Sequence, residues 1–485
     1  MINYKIVAKI LCSMAVLETI LLFLALAVGI FYGEKDLDNF YWSVAISLTT
    51  AVALYIYGRD SKGRMTRREG YLSVAATWLM FTIIGSFPFI LGCSTGRISE
   101  AFFEAVSGFT TTGATALGNL DSLPHSILFW RSLMHWLGGL GIIFFTVAFI
   151  PMLGGDSTRL FAAETTGVSI GKVHPRVSTT ARYVWGIYLT LTAACIFSLK
   201  FAGMGWFDAI NHAMSTVSSG GFSTHQDSIG FFKSPMIQYV LVLFMFLSGV
   251  SFTLMFFTVF RRNFKYAKND GEFRTYIYFL AISTLIIMVF AFYRGSQNIE
   301  EDFRRTLFHV VSLQTTTGFT TTDFMQWPRI DWIVIFIISI VGPCSGSTGG
   351  GIKCVRVMVA FKELRNEFKH ILHPNAMLPV RVGRQTINSD IIRTIYSFFT
   401  IYIALLVGGS VCFAMMDLPL LDAFGVTIAL LGNIGPALGH SIGAVNPMGL
   451  LPDQGLWVGS FLMLAGRLEI FVFILPFIPR FWKKD

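Results

Sequence analysis

The chain carries little charge for its length. Of its 485 residues only 13% are Asp, Glu, Lys or Arg, whereas 54% are hydrophobic. Soluble domains average about 25% charged residues. This deficit excludes an ordinary soluble protein and predicts an all-α integral membrane protein, with room for about ten spanning helices of about 20 residues each.

Catalytic and metal-binding patterns are also missing. The six cysteines are scattered through the chain and form no Cys-x-x-Cys pair, which argues against both a disulfide framework and a metal site. There is no His-Glu-x-x-His or Gly-x-Ser-x-Gly motif, and no pair of carboxylates at membrane depth. We therefore expect no enzyme and no cofactor, although a transported ion could bind.

Long apolar runs predict the membrane spans. The first run is too long for a signal peptide and is interpreted as a retained helix. The predicted spans are 10–31, 40–58, 71–92, 127–150, 183–203, 237–260, 275–293, 330–341 with 354–361, 391–415 and 456–479.

The basic residues follow this alternation of spans. With the N-terminus in the cytoplasm, 27 of the 37 Lys and Arg residues fall in loops on the inner side. The positive-inside rule therefore predicts that both termini are cytoplasmic. Topology alone explains the net charge of +9, so no nucleic-acid partner is implied.

A threonine-glycine motif recurs in loops on the predicted outer side of the membrane. "TTTG" ends at Gly113 and again at Gly318, and related segments surround Gly221 and Gly435. Thr and Gly are weak helix formers, so each motif predicts the end of a helix. Thirteen residues before these glycines, three of the four positions are carboxylates, Glu100, Asp208 and Asp422, and the other is Arg305.

The recurrence predicts an internal fourfold repeat. Each unit would consist of a span, a short re-entrant pore helix, a glycine loop and a second span, arranged around one pore. The predicted divisions are two N-terminal transmembrane helices in 1–69 and four pore units in 70–180, 181–272, 273–388 and 389–485.

The glycine loops are the candidate ion-binding site, and we call them the filter segments. Glycine permits backbone conformations that aim carbonyl groups inward, where they can replace the water shell of a monovalent cation. The candidate residues are Thr111, Thr112 and Gly113; Ser219, Gly220 and Gly221; Thr316, Thr317 and Gly318; and Asn433, Ile434 and Gly435.

The motifs "FTTTGAT", "SSGGFST", "QTTTGFTT" and "GNIGPALG" resemble those of the potassium-transporter superfamily that includes bacterial TrkH and KtrB and the fungal and plant Trk/HKT proteins. The resemblance runs from about residue 70 to the C-terminus, and the two preceding helices match an extra pair in the TrkH branch. Relatives with Ser at the first filter position tend to favour sodium, so Gly113 implies potassium. The fourth segment departs from the pattern at Ile434 and Pro436.

The resemblance implies potassium uptake across a bacterial inner membrane, selective for K⁺ and Rb⁺ over Na⁺ and Li⁺. It also implies a homodimer regulated by a cytosolic ring of TrkA-type nucleotide-binding subunits. The residues alone show only a basic inner face, which anionic lipid would satisfy equally well. A symporter that couples K⁺ to Na⁺ or H⁺ is the alternative function.

The second span of the third unit is interrupted by "VGPCSGSTGGGIKC", whose glycines cannot sustain a helix. We call residues 342–353 the gate loop, because they could lie across the conduction path; a passive kink is the alternative. The candidate gate residues are Gly346, Gly349, Gly350 and Gly351, together with Arg467 from the fourth unit.

Arg467 lies in an apolar span, where a buried cation is costly and hence a functional candidate. It could repel K⁺, bind carbonyl groups of the gate loop, or pair with a carboxylate. His212 and His309 stand nine residues before their glycines, with Glu104 at that position in the first unit. They could sense pH or brace the pore helices.

Overall fold

The computed structural model describes residues 2–60, 65–92, 95–139, 141, 177–294, 298–383, 385–443 and 446–483. Over these residues the regular structure is α-helical, apart from short 3₁₀ and π turns and one small antiparallel hairpin, β1 (Arg381–Val382) with β2 (Gln385–Thr386). The predicted all-α membrane fold is confirmed. The predicted loop 151–182 and the inner end of span 127–150 lie mostly outside the described residues.

Two long helices form an N-terminal pair, α1 (Tyr4–Phe31) and α2 (Asp38–Gly58). They cross closely at the inner end, where a Cβ on Gly58 would lie 2.8 Å from the backbone nitrogen of Lys9. Within the pair, Thr19 and Ser47 share a buried hydrogen bond of 2.8 Å. This polar contact joins the buried faces of the two helices.

Each of the four units has a first span, a short buried helix and a second span. Unit one contains α3 (Arg67–Leu91), α4 (Ile98–Phe109) and α5 (His125–Gly139). Unit two contains α6 (Val177–Phe201), α7 (Trp206–Val217), α8 (Pro235–Ser248) and α9 (Phe252–Met255). A π turn (Phe256–Phe260) and α10 (Phe264–Asn269) lead into unit three.

Unit three contains α11 (Gly271–Tyr293), α12 (Ile299–Gln314), α13 (Arg329–Ile340) and α14 (Cys354–Leu372). Unit four contains α15 (Ser389–Ala414), α16 (Leu420–Leu431), α17 (Asp453–Arg467) and α18 (Phe471–Ile474). We call α4, α7, α12 and α16 the pore helices. The outer loop after each pore helix contains one 3₁₀ turn, at Leu120–Ser122, Ser228–Phe231, Phe324–Gln326 and Met448–Leu450.

Local signals set the helix ends. At the start of α3 the Thr66 hydroxyl accepts a bond from the Glu69 backbone, and the Glu69 carboxylate accepts one of 2.6 Å from the Thr66 backbone. This reciprocal capping box satisfies two backbone donors that a helix start otherwise leaves free. Pro235 opens α8, where its fixed φ suits a first turn.

Two predicted spans are not continuous. The run 237–260 bends by 99° between α8 and α9, and the run 456–479 bends by 120° between α17 and α18. At the second bend both Glu469 and Ile470 have positive φ, which no α-helix contains. The sequence analysis did not predict these bends, because apolar composition indicates burial and membrane depth but not the direction of the chain.

The buried apolar side chains gather in two large clusters. One joins the N-terminal pair with units one and four, and the other joins units two and three. At the outer seam between units one and four, Arg97 donates to Asp453 at 3.1 Å and to the carbonyl oxygen of Gly449 at 2.6 Å. This seam closes the circle of units without a covalent connection.

Candidate functional site

The four pore helices end in the same hydrogen-bonded turn. In each, the backbone N–H of the residue just before the filter glycine bonds to the carbonyl oxygen five residues earlier, which defines a Schellman motif. These bonds are Thr112 to Ser107 at 2.9 Å, Gly220 to Ser215 at 2.8 Å, Thr317 to Ser312 at 2.9 Å, and Ile434 to Ala429 at 2.8 Å.

The left-handed residue of this turn is not glycine in any unit. The φ angles of Thr111, Ser219, Thr316 and Asn433 are 52°, 56°, 57° and 53°, respectively. This conformation is sterically costly for most L-residues and is an outlier for β-branched threonine. In the sequence, only Asn433 indicated a left-handed residue at this position, because asparagine tolerates that backbone conformation.

The filter glycines also have positive φ, from 79° to 102°. Each one faces the carbonyl oxygen of the residue before the next unit's glycine. A Cβ on Gly113 would lie 2.1 Å from the Gly220 oxygen, on Gly221 1.9 Å from that of Thr317, on Gly318 1.8 Å from that of Ile434, and on Gly435 2.7 Å from that of Thr112.

These contacts run from unit one to two, three, four and back to one, so they form a closed ring. The structure therefore brings all twelve predicted filter residues together. No side chain fits at the glycine positions, because the neighbouring carbonyl groups already occupy that space.

Hydroxyl groups at the ring form hydrogen bonds with one another. Thr110 bonds to Thr112 at 2.7 Å, and Thr315 bonds to Thr317 at 2.8 Å. Asn433 donates 3.0 Å to the Thr112 hydroxyl, which joins the fourth segment to the first. The filter segments contain no ionisable side chain, so their electrostatics come from carbonyl and hydroxyl dipoles and the negative ends of four pore helices.

The gate loop lies against the inner ends of the pore helices. The Gly350 backbone donates 2.7 Å to the Thr316 hydroxyl. A Cβ on Gly350 would approach the Gly432 carbonyl oxygen to 2.7 Å, so glycine allows the close packing here. The Thr348 hydroxyl bonds to that of Ser219 at 2.8 Å. The loop thus touches filter segments of units two and three and the cap of pore helix α16.

Arg467 reaches the same loop from the last turn of α17. Its Nη1 donates 2.8 Å to the Thr348 carbonyl oxygen, and its Nη2 donates 2.7 Å to that of Gly138 at the end of α5. The bond to Thr348 matches the alternative in which Arg467 binds carbonyl groups of the gate loop, whereas its hydrogen bonds within the described part of the chain include no carboxylate. The arginine instead links unit four, the gate loop and unit one.

Charged groups hold the inner end of the gate loop. Lys353 donates to the Gly349 carbonyl oxygen, and Arg356 pairs with Glu469 at the bend of unit four. Glu272 accepts hydrogen bonds from the backbone of Ser345 and, at 3.2 Å, of Val355. At the break of unit two, the Cys344 backbone donates 3.0 Å to the Gly249 carbonyl oxygen, and the Phe252 backbone donates 3.1 Å to that of Gly346. The breaks in units two and four therefore lie beside the gate loop, a relation that the sequence analysis missed.

The polar residues nine before the glycines hold the outer loops. His212 bonds to the Ser223 hydroxyl at 3.0 Å, and His309 bonds to the Thr322 carbonyl oxygen at 3.1 Å. Glu104 accepts 2.8 Å from the Ala116 backbone. All three side chains are buried. Their contacts are those expected of residues that brace the pore helices.

Four re-entrant helices that converge on a ring of carbonyl oxygens, within a bundle of membrane-spanning helices, define an ion-transport membrane protein and not an enzyme. A sequence model of the TrkH family, described as cation transport protein, matches residues 37–484. The chain belongs to this family.

Individual relatives cover the whole chain. The Trk system potassium uptake proteins TrkH of Salmonella typhimurium and of Escherichia coli K12 are each 35% identical to it, over 99% of this chain and 100% of theirs. The crystal structure of the potassium transporter TrkH from Vibrio parahaemolyticus superimposes with a TM-score of 0.89 at 33% identity, and covers 99% of both chains.

Proposed function

We propose that this protein takes up potassium through a channel-like pore, in which the filter segments bind dehydrated K⁺ as the transported ion. The observation that carries the proposal is the closed ring of glycine and carbonyl contacts between the four units. Such oxygen atoms can replace an ion's hydration shell. Selectivity for K⁺ and Rb⁺ over Na⁺ and Li⁺ is in keeping with Gly113 at the first position.

The gate loop would close the pore from the inner side. It supplies contacts to segments of two units and is held by Arg467. Its last residue, Lys353, directly precedes α14. A displacement of α14 would therefore be passed to the loop through one continuous backbone.

A cytosolic regulatory subunit would act on α14. Phe361, Leu364, Phe368 and Ile371 recur at helical spacing and are each more than half exposed, which is typical of a surface that another protein covers. We propose that a TrkA-type nucleotide-binding ring covers it, and that the transporter is a homodimer in a bacterial inner membrane with both termini in the cytoplasm. The excess of basic residues in inner loops supports this orientation.

The flux experiment uses liposomes that hold only the purified chain. Downhill flux of K⁺ and Rb⁺ should exceed that of Na⁺ and Li⁺, and Gly113→Ser should reduce the difference. Equal flux of all four ions would refute a selective pore. Strict dependence of K⁺ flux on a Na⁺ or proton gradient would replace the channel by the coupled symporter.

The regulatory surface is tested by binding of a purified TrkA-type subunit to the transporter in detergent. Phe361→Ser with Phe368→Ser should weaken binding, because both changes remove apolar contact area. Met377→Ser is the matched control, since Met377 is 95% exposed but lies beyond the helix. Unchanged binding of the double variant would exclude this surface.

One observation favours the coupled alternative. Glu18 is fully buried in α1, and neither carboxylate oxygen has a hydrogen-bond partner among the described residues. A carboxyl group at membrane depth is by default a candidate for ion or proton transfer. The sequence analysis did not single it out, and its substitution separates the two functions.

A further inference from the structure

Just beyond the glycine, three of the four filter segments accept a hydrogen bond from the preceding unit of the ring. The contact point is the carbonyl oxygen two residues beyond the filter glycine. The Thr115 oxygen accepts 2.8 Å from the Met448 backbone of unit four, and the Thr320 oxygen accepts 3.0 Å from the Ile229 backbone of unit two. The Ser223 oxygen completes the set, but its donor is different.

The donor to Ser223 is a side chain of unit one. Arg131 Nη1 donates 2.9 Å to this carbonyl oxygen, in place of a backbone N–H group. The side chain is 1% exposed, and its guanidinium lies over the ring of Phe222 with 4.0 Å between the two centres. Arginine can serve here because its planar fork offers several donors at fixed angles.

Glu104 completes the contact on the other side. Its Oε1 accepts 2.8 Å from Arg131 Nε, and its Oε2 accepts 2.8 Å from the Ala116 backbone. The Thr115 hydroxyl also donates to it, at 3.1 Å. We call Glu104 and Arg131 the outer brace, since together they join the chain just beyond Gly113 to the equivalent chain beyond Gly221.

The outer brace adjoins the point where the ring contact between units one and two is made. Gly113 faces the Gly220 carbonyl oxygen there, and Arg131 lines the outer cavity together with all four filter glycines. The paired carboxylate offsets the arginine charge, so little net repulsion reaches a cation.

The geometry points to Arg131 as a positioning residue for ion selectivity: through Glu104 and Ser223 it sets the separation of the first and second filter segments. Selection between K⁺ and Na⁺ depends on the placement and field of the coordinating oxygen atoms. This inference rests on the proposed function, because it concerns the same pore.

The test measures Na⁺ and K⁺ flux in liposomes for the full chain and for Arg131→Lys and Glu104→Gln. Lysine keeps the charge but cannot contact Glu104 and Ser223 in the same forked geometry. We expect the Na⁺/K⁺ flux ratio to rise about tenfold, which corresponds to about 1.4 kcal/mol in the relative barriers. Arg294→Lys is the control, because Arg294 forms a 2.9 Å ion pair with Asp331 away from the filter segments.

The Arg294→Lys control should keep the Na⁺/K⁺ flux ratio of the wild type. If the wild type discriminates and the Na⁺/K⁺ flux ratio is unchanged in Arg131→Lys and Glu104→Gln, the inference is overturned but the proposed function is not. A wild-type protein that does not discriminate overturns the proposed function and the inference together. If either variant fails to fold, Thr115→Val takes its place, since it removes the hydroxyl that donates to both Glu104 oxygens and leaves the charges. An unchanged Na⁺/K⁺ flux ratio in that variant would also overturn the inference.

Discussion

Arg467 and Thr348, 119 residues apart in the chain, are joined by a hydrogen bond of 2.8 Å from the guanidinium to the carbonyl oxygen. The Thr348 hydroxyl in turn bonds to Ser219 at the inner side of the second filter segment. A single residue of the gate loop is thus held from the fourth unit and from the second. This relation makes the proposed gate experimentally accessible.

Arg467→Gln should raise K⁺ flux through the isolated chain. Hydrogen bonds to charged groups contribute about 1.5–3 kcal/mol, so their loss should favour release of the gate loop by roughly tenfold or more. Arg467→Lys separates the two possible roles. If the arginine anchors the loop, lysine should also raise flux; if only its charge forms a barrier, lysine should preserve low flux. Unchanged flux in both variants would contradict either role.

Gly221→Ala should abolish selective flux. The new Cβ would lie 1.9 Å from the Thr317 carbonyl oxygen, so the ring must open or the unit must shift. The matched control is Gly186→Ala on the exposed face of α6, where a Cβ would meet nothing within 4 Å. Flux of K⁺ and Na⁺ measures both. Wild-type selectivity in Gly221→Ala would show that the ring contact is not required.

Thr111→Gly should stabilise the protein, whereas Thr112→Gly should destabilise it. Thr111 has a φ of 52°, and its hydroxyl has no partner among the described residues. Relief of left-handed strain is worth about 1 kcal/mol, while Thr112→Gly loses hydrogen bonds worth about 1 kcal/mol each. The thermal midpoint of unfolding in detergent measures both changes. A lower midpoint for Thr111→Gly would mean that its backbone is not strained.

Glu18→Gln should leave K⁺ flux and its pH dependence unchanged if the pore is channel-like. Glutamine keeps the shape of the side chain but cannot exchange a proton with the pathway. In the coupled alternative, flux driven by a proton gradient should be lost. Liposome flux with and without an imposed pH gradient decides between them, and Ser47→Ala in the same helix pair controls for effects on packing.

Much of the architecture follows from local pattern. Apolar runs predicted the spans, and the spacing of Gly113, Gly221, Gly318 and Gly435 predicted the repeat that the structure displays as four equivalent turns. Such features depend on composition and on residues close in sequence. The bends at 249–251 and 468–470 were missed, because a short irregular segment inside an apolar run changes the chain direction without changing its composition.

By itself the sequence determined a membrane protein with four glycine-centred loops, an interrupted third-unit span and basic residues concentrated in alternate loops. Tertiary structure alone decided the order of the units around the ring, the partner of Arg467 and the contact between Arg131 and Ser223. Each of these joins residues about a hundred or more positions apart. Such contacts form only when the units pack against one another, and no periodicity within one unit records how it faces the next.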